Sequence, residues 1–260
     1  MHYINLSTPS NLDTPDLKIF KTMRDNGFDD KNSFVADSPK VVNILLRTDI
    51  EIKSILATKE YFEKYKELID KKNIKKLFVA PKELMQSIVG HKIHHNCMAH
   101  GIRPQQNSLD KLDNQILMLD EITSTENIGS IARSMAGFGV SSYLLSKRSP
   151  HPYSRRSLRV SMGYISNLKY NIYDDIISTC QELKKLGYKI FAAEVSSNST
   201  PLWDVRVPDR WVLIMGHEGR GISQDVLDIC DEIVTIEMQD DVKSFNVAVA
   251  ASVMLYRFTR

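Results

Sequence analysis

Residues 115–260 alternate short apolar runs with polar and amphipathic stretches, and this alternation constrains the fold more than any other feature of the chain. "QILMLD", "SSYLLS", "KIFAAEV", "WVLIMG" and "EIVTIEM" read as buried strands. Between them lie "EITSTENIGSIARSMAGFGV", a polar turn entering a helix, and "YDDIISTCQELKKLG", a helix stopped by Gly187. A short helix from Ser223 and a last one from about Ser244 complete the series, with "KRSPHPYSRRSLRVSMG" read as a basic loop. Strand and helix in turn predict an α/β fold, a mostly parallel sheet with helices on both faces.

The first part of the chain reads as a smaller α/β unit. "SPKVVNILLR" carries Ser38 as a cap and Pro39 in the first turn of a helix. "IKSILAT" follows as a strand, "KEYFEKYKELIDKK" as one helix, "KKLFVA" as a strand, and "PKELMQSIVG" as a helix closed by Gly90. "GIRPQQNSLDKLDN", 101–114, lacks periodicity and reads as a linker. Two domains are therefore expected, 1–112 and 115–260, which suits 260 residues with 42% hydrophobic side chains.

Three widely spaced cysteines, Cys97, Cys180 and Cys230, read as reduced thiols. No apolar run approaches the roughly 18 residues of a membrane span, and the N-terminus has no leader pattern. A soluble, cytoplasmic protein without a membrane partner is the expectation. Basic side chains exceed acidic ones 18 to 14 in residues 1–112 and fall short 16 to 18 in 113–260. That asymmetry suggests phosphate contact in the first part and chemistry in the second. "HKIHHNCMAH" crowds four potential metal ligands, His91, His95, Cys97 and His100, but lacks spaced ligand pairs, so no metal is expected.

In open α/β sheets ligands gather outside the carboxyl ends of strands. Three loops there carry unusual residues: "TSTENIGSIAR", "GHEGRGIS" and "MQDDVKSFNVAVAA". The glycines of "GHEGRG" fall at the first, fourth and sixth positions, and the loop comes late in its domain, so the dinucleotide fingerprint is excluded. A phosphate loop ending in Gly-Lys-Ser/Thr is absent from the sequence.

Together the three loops resemble the motifs of the SpoU (TrmH-like) branch of the SPOUT methyltransferases. Asn127, Gly129 and Arg133 match the first motif, "LIMGHEGRGIS" the second, and Ser244, Asn246, Val247 and Ala250 the third; "RVSMG" resembles an Arg-x-Ser-x-Gly that follows the first. The resemblance covers 115–260 closely and the first unit more loosely, where "FVADSPKVVNILL" stands in place of a strand entering a helix in a small RNA-binding domain.

The resemblance implies a sheet tied in a trefoil knot, a homodimer packed through the knotted region, and transfer of methyl from S-adenosylmethionine to a ribose 2′-hydroxyl of rRNA or tRNA. It assigns cofactor binding to the backbone of Gly216, Ile236 and Phe245, with Met215, Met238 and Val247 beside them, the glycines leaving main chain open to the cofactor. Arg133 takes the catalytic position, as proton acceptor, alkoxide stabiliser or phosphate anchor. Asn127, Ser244 and Asn246 orient the ribose and shape the loops, and Glu218 orients Arg133 or its neighbours. Small residues of the last helix, Ala248, Ala250, Ala251 and Ser252, suit close packing in the dimer. Arg155, Arg156 and Arg159, read as near the first motif, and "KKNIKK" suit RNA phosphates, single-stranded RNA being the favoured target.

Each polar residue has a plainer reading: Asn127 and Ser244 as helix caps, Glu218 and Arg220 as a solvated pair. The sequence also departs from the family pattern at Glu237, Asp240, Asp241 and Phe245. An RNA-binding or ribosome-assembly protein that keeps the fold without transfer is therefore the alternative, and a methyltransferase of small molecules or proteins is a further one.

Overall fold

The computed structural model describes residues 2–6, 14–21, 30, 32–239 and 241–260. The chain divides into two compact units, Met1–Gln105 with Tyr153–Ser166, and Gln106–Pro152 with Asn167–Arg260.

The first unit runs β1 (His2–Asn5), α1 (Pro15–Lys18), β2 (Ser33–Asp37), α2 (Pro39–Leu45), β3 (Ile52–Ala57), α3 (Lys59–Lys64), α4 (Lys66–Lys71), β4 (Lys76–Val79), α5 (Lys82–Val89) and β5 (Cys97–Ile102). Its sheet has the order β1-β4-β3-β5-β2, parallel across β1, β4 and β3 and antiparallel at β5. The Ser38 hydroxyl accepts from Val41 N and caps α2, and Gly90 ends α5 at φ +82°. The single helix expected over 59–72 is broken at Tyr65, whose ψ of 21° serves as end of one helix and start of the next. The expected linker begins later than residue 101, because Gly101 lies in β5, where a Cβ would strike the Phe34 ring at 2.4 Å.

The second unit runs β6 (Gln115–Leu119), α6 (Thr125–Phe138) and β7 (Ser142–Ser146), and the chain then passes through α7 (Arg155–Val160). It continues with β8 (Lys169–Tyr173), α8 (Ile176–Lys185), β9 (Lys189–Ala193), β10 (Thr200–Pro201), β11 (Trp211–Met215), α9 (Gln224–Ile229), β12 (Glu232–Thr235) and α10 (Val247–Phe258). Its seven strands have the order β10-β12-β9-β11-β6-β7-β8, with every neighbouring pair parallel. All five residues of β11 are buried, as an inner parallel strand requires. β12 is shorter than "EIVTIEM" suggested, because its ladder with β9 ends at Val234 and that with β10 at Thr235. α10 begins three residues after Ser244, with Asn246 as its cap.

Two expectations are corrected by packing. The basic loop contains a helix, and its segment 153–166, with Arg155, Arg156 and Arg159, belongs to the first unit and not to the unit that carries the three motifs. The reason is β2, an edge strand with all five residues buried. Phe34 of β2 packs on Tyr153 at a ring separation of 5.4 Å, and Asp37, 4% exposed, accepts from Nε of Arg155 and Nε of Arg159, each at 2.8 Å. Burial pushes the Asp37 carboxyl up, but its bonds and charges from Arg159 and Arg155 outweigh this and hold it below the usual carboxylate range. The small residues of α10 are also used within the chain: Ala248 and Ala251 are buried, and the Ser252 hydroxyl pairs with that of Ser134 on α6 at 2.7 Å. The face of α10 left exposed carries Val249, Val253 and Tyr256 instead.

No helix among the described residues is long and apolar enough to cross a membrane. Cys97 is fully buried in β5, and His100 Nε2 lies 3.0 Å from the Ser33 hydroxyl. Among the described residues no three His, Cys, Asp or Glu side chains are grouped to hold a metal.

Candidate functional site

The site lies at the carboxyl ends of the second sheet. β6 and β11 are neighbours there, while β12 is separated from β11 by β9, so the three motif loops do not leave adjacent strands. Side chains bring the third loop back to the first.

The first loop enters α6 through Ser124, whose hydroxyl accepts from Asn127 N at 3.3 Å. Ser124 is thus the cap, and Asn127 stands on the first turn with its amide free for other work. Asn127 Nδ2 donates to Glu218 Oε1 at 2.9 Å, and Asn127 Oδ1 accepts from Asn246 Nδ2 at 3.1 Å. Asn246 Oδ1 in turn accepts from Ala248 N at 2.9 Å and caps α10. Glu218 also accepts from Thr123 N and Ser124 N, each at 3.3 Å. One hydrogen-bonded chain therefore joins the second loop, the first loop and the third. Partial desolvation raises the Glu218 carboxyl, but the bonds from Asn127 and from the backbone of Thr123 and Ser124 outweigh it, holding the group below the ordinary range. Its side-chain partner on the first motif is Asn127, and the plainer reading of Glu218 and Arg220 as a pair does not hold, since Arg220 binds Glu121.

The second loop is a tight return. His217 N donates to Gly221 O at 3.2 Å and Gly221 N to His217 O at 3.0 Å, while Gly219 N donates to His217 Nδ1 at 2.9 Å. A Cβ on Gly216 would lie 2.7 Å from the Gly221 carbonyl carbon, and one on Gly221, at φ +66°, 2.3 Å from Glu194 Oε2. At both glycines the chain's own closure leaves no room for a Cβ. Glu194, just beyond β9, completes the return by accepting from Ile222 N at 2.8 Å.

Beside this loop opens a cavity of 620 Å³. Met215, Gly216, Ile236, Met238, Phe245 and Val247 all line it, and so do Glu194, Glu218, Ser244 and Asn246. Its wall combines apolar side chains with carboxylates and amides. Arg133 is not part of that wall; it projects from α6, exposed, with no hydrogen bond or ion pair among the described residues. Ser244 is exposed before the cap and Asp241 is exposed beyond the strand; Asp240 lies outside the described residues.

Sequence reasoning missed Glu194 and the charged group Glu121, Arg148 and Arg220. A carboxylate set directly after the apolar run "FAA" was the available signal for Glu194. Nothing in the spacing signalled the group of three, because its members are far apart in the chain.

The fold and the position of the site define a parallel α/β protein with a ligand-sized cavity at the strand ends. The SpoU rRNA Methylase family model matches residues 114–256, more than half of the chain, and the protein belongs to that family. A TrmH family protein of Staphylococcus haemolyticus is 32% identical over 145 residues, 56% of this chain and 58% of that one. An uncharacterized tRNA/rRNA methyltransferase of Archaeoglobus fulgidus is 30% identical over 145 residues, 56% of this chain and 64% of its own length. The chain thus spans about three fifths of these relatives. Among solved structures, an AdoMet-bound rRNA methyltransferase of Sinorhizobium meliloti superposes at a TM-score of 0.83 with 17% identity, covering 98% of this chain and 97% of that one. The SpoU methyltransferase AviRb of Streptomyces viridochromogenes, with AdoMet, gives 0.79 at 19% identity, covering 95% and 98%. At these identities the likeness is one of fold, and it extends over both units.

Proposed function

We propose that the protein is an S-adenosylmethionine-dependent RNA methyltransferase acting on a ribose 2′-hydroxyl of rRNA or tRNA. The observation that carries this reading is the hydrogen-bonded chain Glu218–Asn127–Asn246, which ties the first motif loop to the second and third loops that line the cavity.

The cavity suits the cofactor by size and by lining. Its 620 Å³ falls within the range of small-molecule sites, and an apolar wall with a few polar groups fits a ligand that is part aromatic ring and part charged chain. Met215, Ile236, Met238 and Val247 would hold the apolar part, and the backbone of Gly216, Ile236 and Phe245 its polar edges. The cofactor supplies a methyl already activated on a sulfonium centre.

The protein's own work is to place the hydroxyl and to stabilise charge on it. Both ends of the Asn127 amide are engaged in the loops, so its part is to position them. Ser244, exposed at the cavity, is available to the ribose. A guanidinium is a permanent cation with donors only, so Arg133 acts by stabilising negative charge at the 2′-oxygen and not as a base.

The family resemblance adds a trefoil knot and a homodimer to this reading. The exposed stripe Val249, Val253 and Tyr256, at helical spacing on α10, favours the dimer. The first unit, with the basic surplus of its sequence, is read as an RNA-binding domain.

The test is transfer of labelled methyl from S-adenosylmethionine to RNA lacking the modification, separated by size, with Arg133→Ala as control. A labelled 2′-O-methyl nucleotide in one RNA class, lost in the variant with cofactor affinity intact, is the expected result. Failure of the wild-type chain to bind the cofactor would overturn the reading in favour of an RNA-binding protein without transfer. Near-normal transfer by the variant would remove the role given to Arg133.

A further inference from the structure

β11, β6 and β7 are consecutive in the second sheet, and the turns beyond their carboxyl ends carry Arg220, Glu121 and Arg148. Glu121 Oε1 accepts from Arg148 Nη1 at 2.5 Å, and Glu121 Oε2 accepts from Arg220 Nη2 at 2.8 Å. One carboxylate thus draws two guanidinium groups from different strands to the same spot. Glu121 does so from a backbone φ of +52°, a conformation that costs energy for a side-chain-bearing residue.

Fold stability does not account for this arrangement. The Arg148 and Arg220 side chains are 78% and 67% exposed, and exposed ion pairs contribute little. Among the described residues neither guanidinium has another hydrogen-bond or ion-pair partner, although each carries five donors in a planar fork suited to phosphate. The neighbouring Asp120 lies within electrostatic reach of both arginines and of His217, while burial and the adjacent Glu121 push its carboxyl up. The place is also informative, because Glu121 stands two residues before Thr123, whose N–H is held by Glu218.

We propose that Arg148 and Arg220, held together by Glu121, form a phosphate clamp that grips the RNA backbone beside the cofactor cavity. The assignment rests on the reading of RNA as substrate. The carboxylate spaces the two forks and neutralises one of them; a bound phosphodiester neutralises the other. Such a contact positions a strand without reading its bases.

The experiment measures binding of a labelled single-stranded oligoribonucleotide across a salt series, for wild type, Arg148→Ala with Arg220→Ala, and the corresponding double lysine variant. Each phosphate contact on a single strand contributes about 0.7 to the slope of log affinity against log salt, so the double alanine variant, which gives up the one clamped phosphate, loses about 0.7. Its melting temperature stays at the wild-type value, while the RNA KM rises about tenfold with kcat little changed, a change that Arg148→Ala alone, away from the cavity wall, shows in part with S-adenosylmethionine affinity intact. The lysine pair restores the slope. An unchanged slope in the alanine variant, a lysine pair no better than alanine, or a loss confined to stability and cofactor affinity overturns the clamp. Wild-type protein that binds cofactor but no RNA overturns the RNA reading itself, and the clamp with it.

Discussion

Asn246 Nδ2 donates to Asn127 Oδ1 at 3.1 Å across 119 positions of sequence, while the same Asn246 caps α10 through its own Oδ1. The two halves of one amide thus do separate jobs, and a single atom can separate them. In Asn246→Asp the carboxylate still accepts from Ala248 N but can no longer donate, and Asn127 cannot turn round because its Nδ2 is held by Glu218. Methyl transfer should fall about tenfold, about 1.4 kcal/mol of transition-state stabilisation, with the melting temperature nearly unchanged. Asn246→Ala should also lose about 1 kcal/mol of stability through the cap. Parallel kinetics and thermal melts check both.

The two reasons for a glycine at the second loop make opposite predictions. A Cβ at Gly216 meets backbone at 2.7 Å, whereas at Gly219 the nearest atom, in the His217 ring, is 3.7 Å away. Gly216→Ala should therefore displace the return and weaken cofactor affinity at least tenfold, and Gly219→Ala should leave it within about threefold, as ordinary van der Waals contact allows. Calorimetric titration of both variants with S-adenosylmethionine decides the matter.

Asp37 is the anion on which two arginines depend. In Asp37→Ala, Arg155, whose side chain is 11% exposed, loses its counter-charge, and breaking a pair so buried costs about 3–5 kcal/mol. Urea unfolding of the full chain should show the loss, and hydrogen exchange should place it in residues 153–166. Because the Asp37 carboxyl is held below its ordinary value, its contribution is present at neutral pH and vanishes only as pH falls through the acid range below about 4.

His100 gives a second pH response with a different window. Burial, aided by Lys53, pushes its pKa from 6.5 to about 4, so the folded chain keeps it neutral where the unfolded chain would protonate it. Stability is full above 6.5 and declines as pH falls from 6.5 towards 4, since the unfolded state binds more protons there. His100→Gln should flatten the melting temperature between pH 7 and 4.5.

The strands of the second unit were legible because buried parallel strands are written as apolar runs, and β11 is the clearest case. β1 and β8 were not: "HYIN" and "KYNIY" are edge strands mixing polar and apolar residues. The helix in the basic loop was hidden because six of the eight residues from Ser154 to Ser161 are serine or arginine, and its reason to fold is Asp37, more than a hundred positions earlier. At the site the motif residues could be picked out, but not their bonding. Glu218 was expected to orient Arg133 or its neighbours; the structure gives it Asn127, and which residue of α6 it meets is a matter of which side of the helix each occupies.

Helix α7 lies between β7 and β8 in sequence yet belongs with β2 in space. The chain therefore passes from one unit to the other three times, and neither unit is a continuous stretch of the gene. A cut at the apparent boundary near residue 112 would put Asp37 on one piece and Arg155 and Arg159, which donate to it, on the other. For recombination, whether in a laboratory or over evolutionary time, any transferable part that keeps this pairing must carry residues 37 to 159 together, across both units.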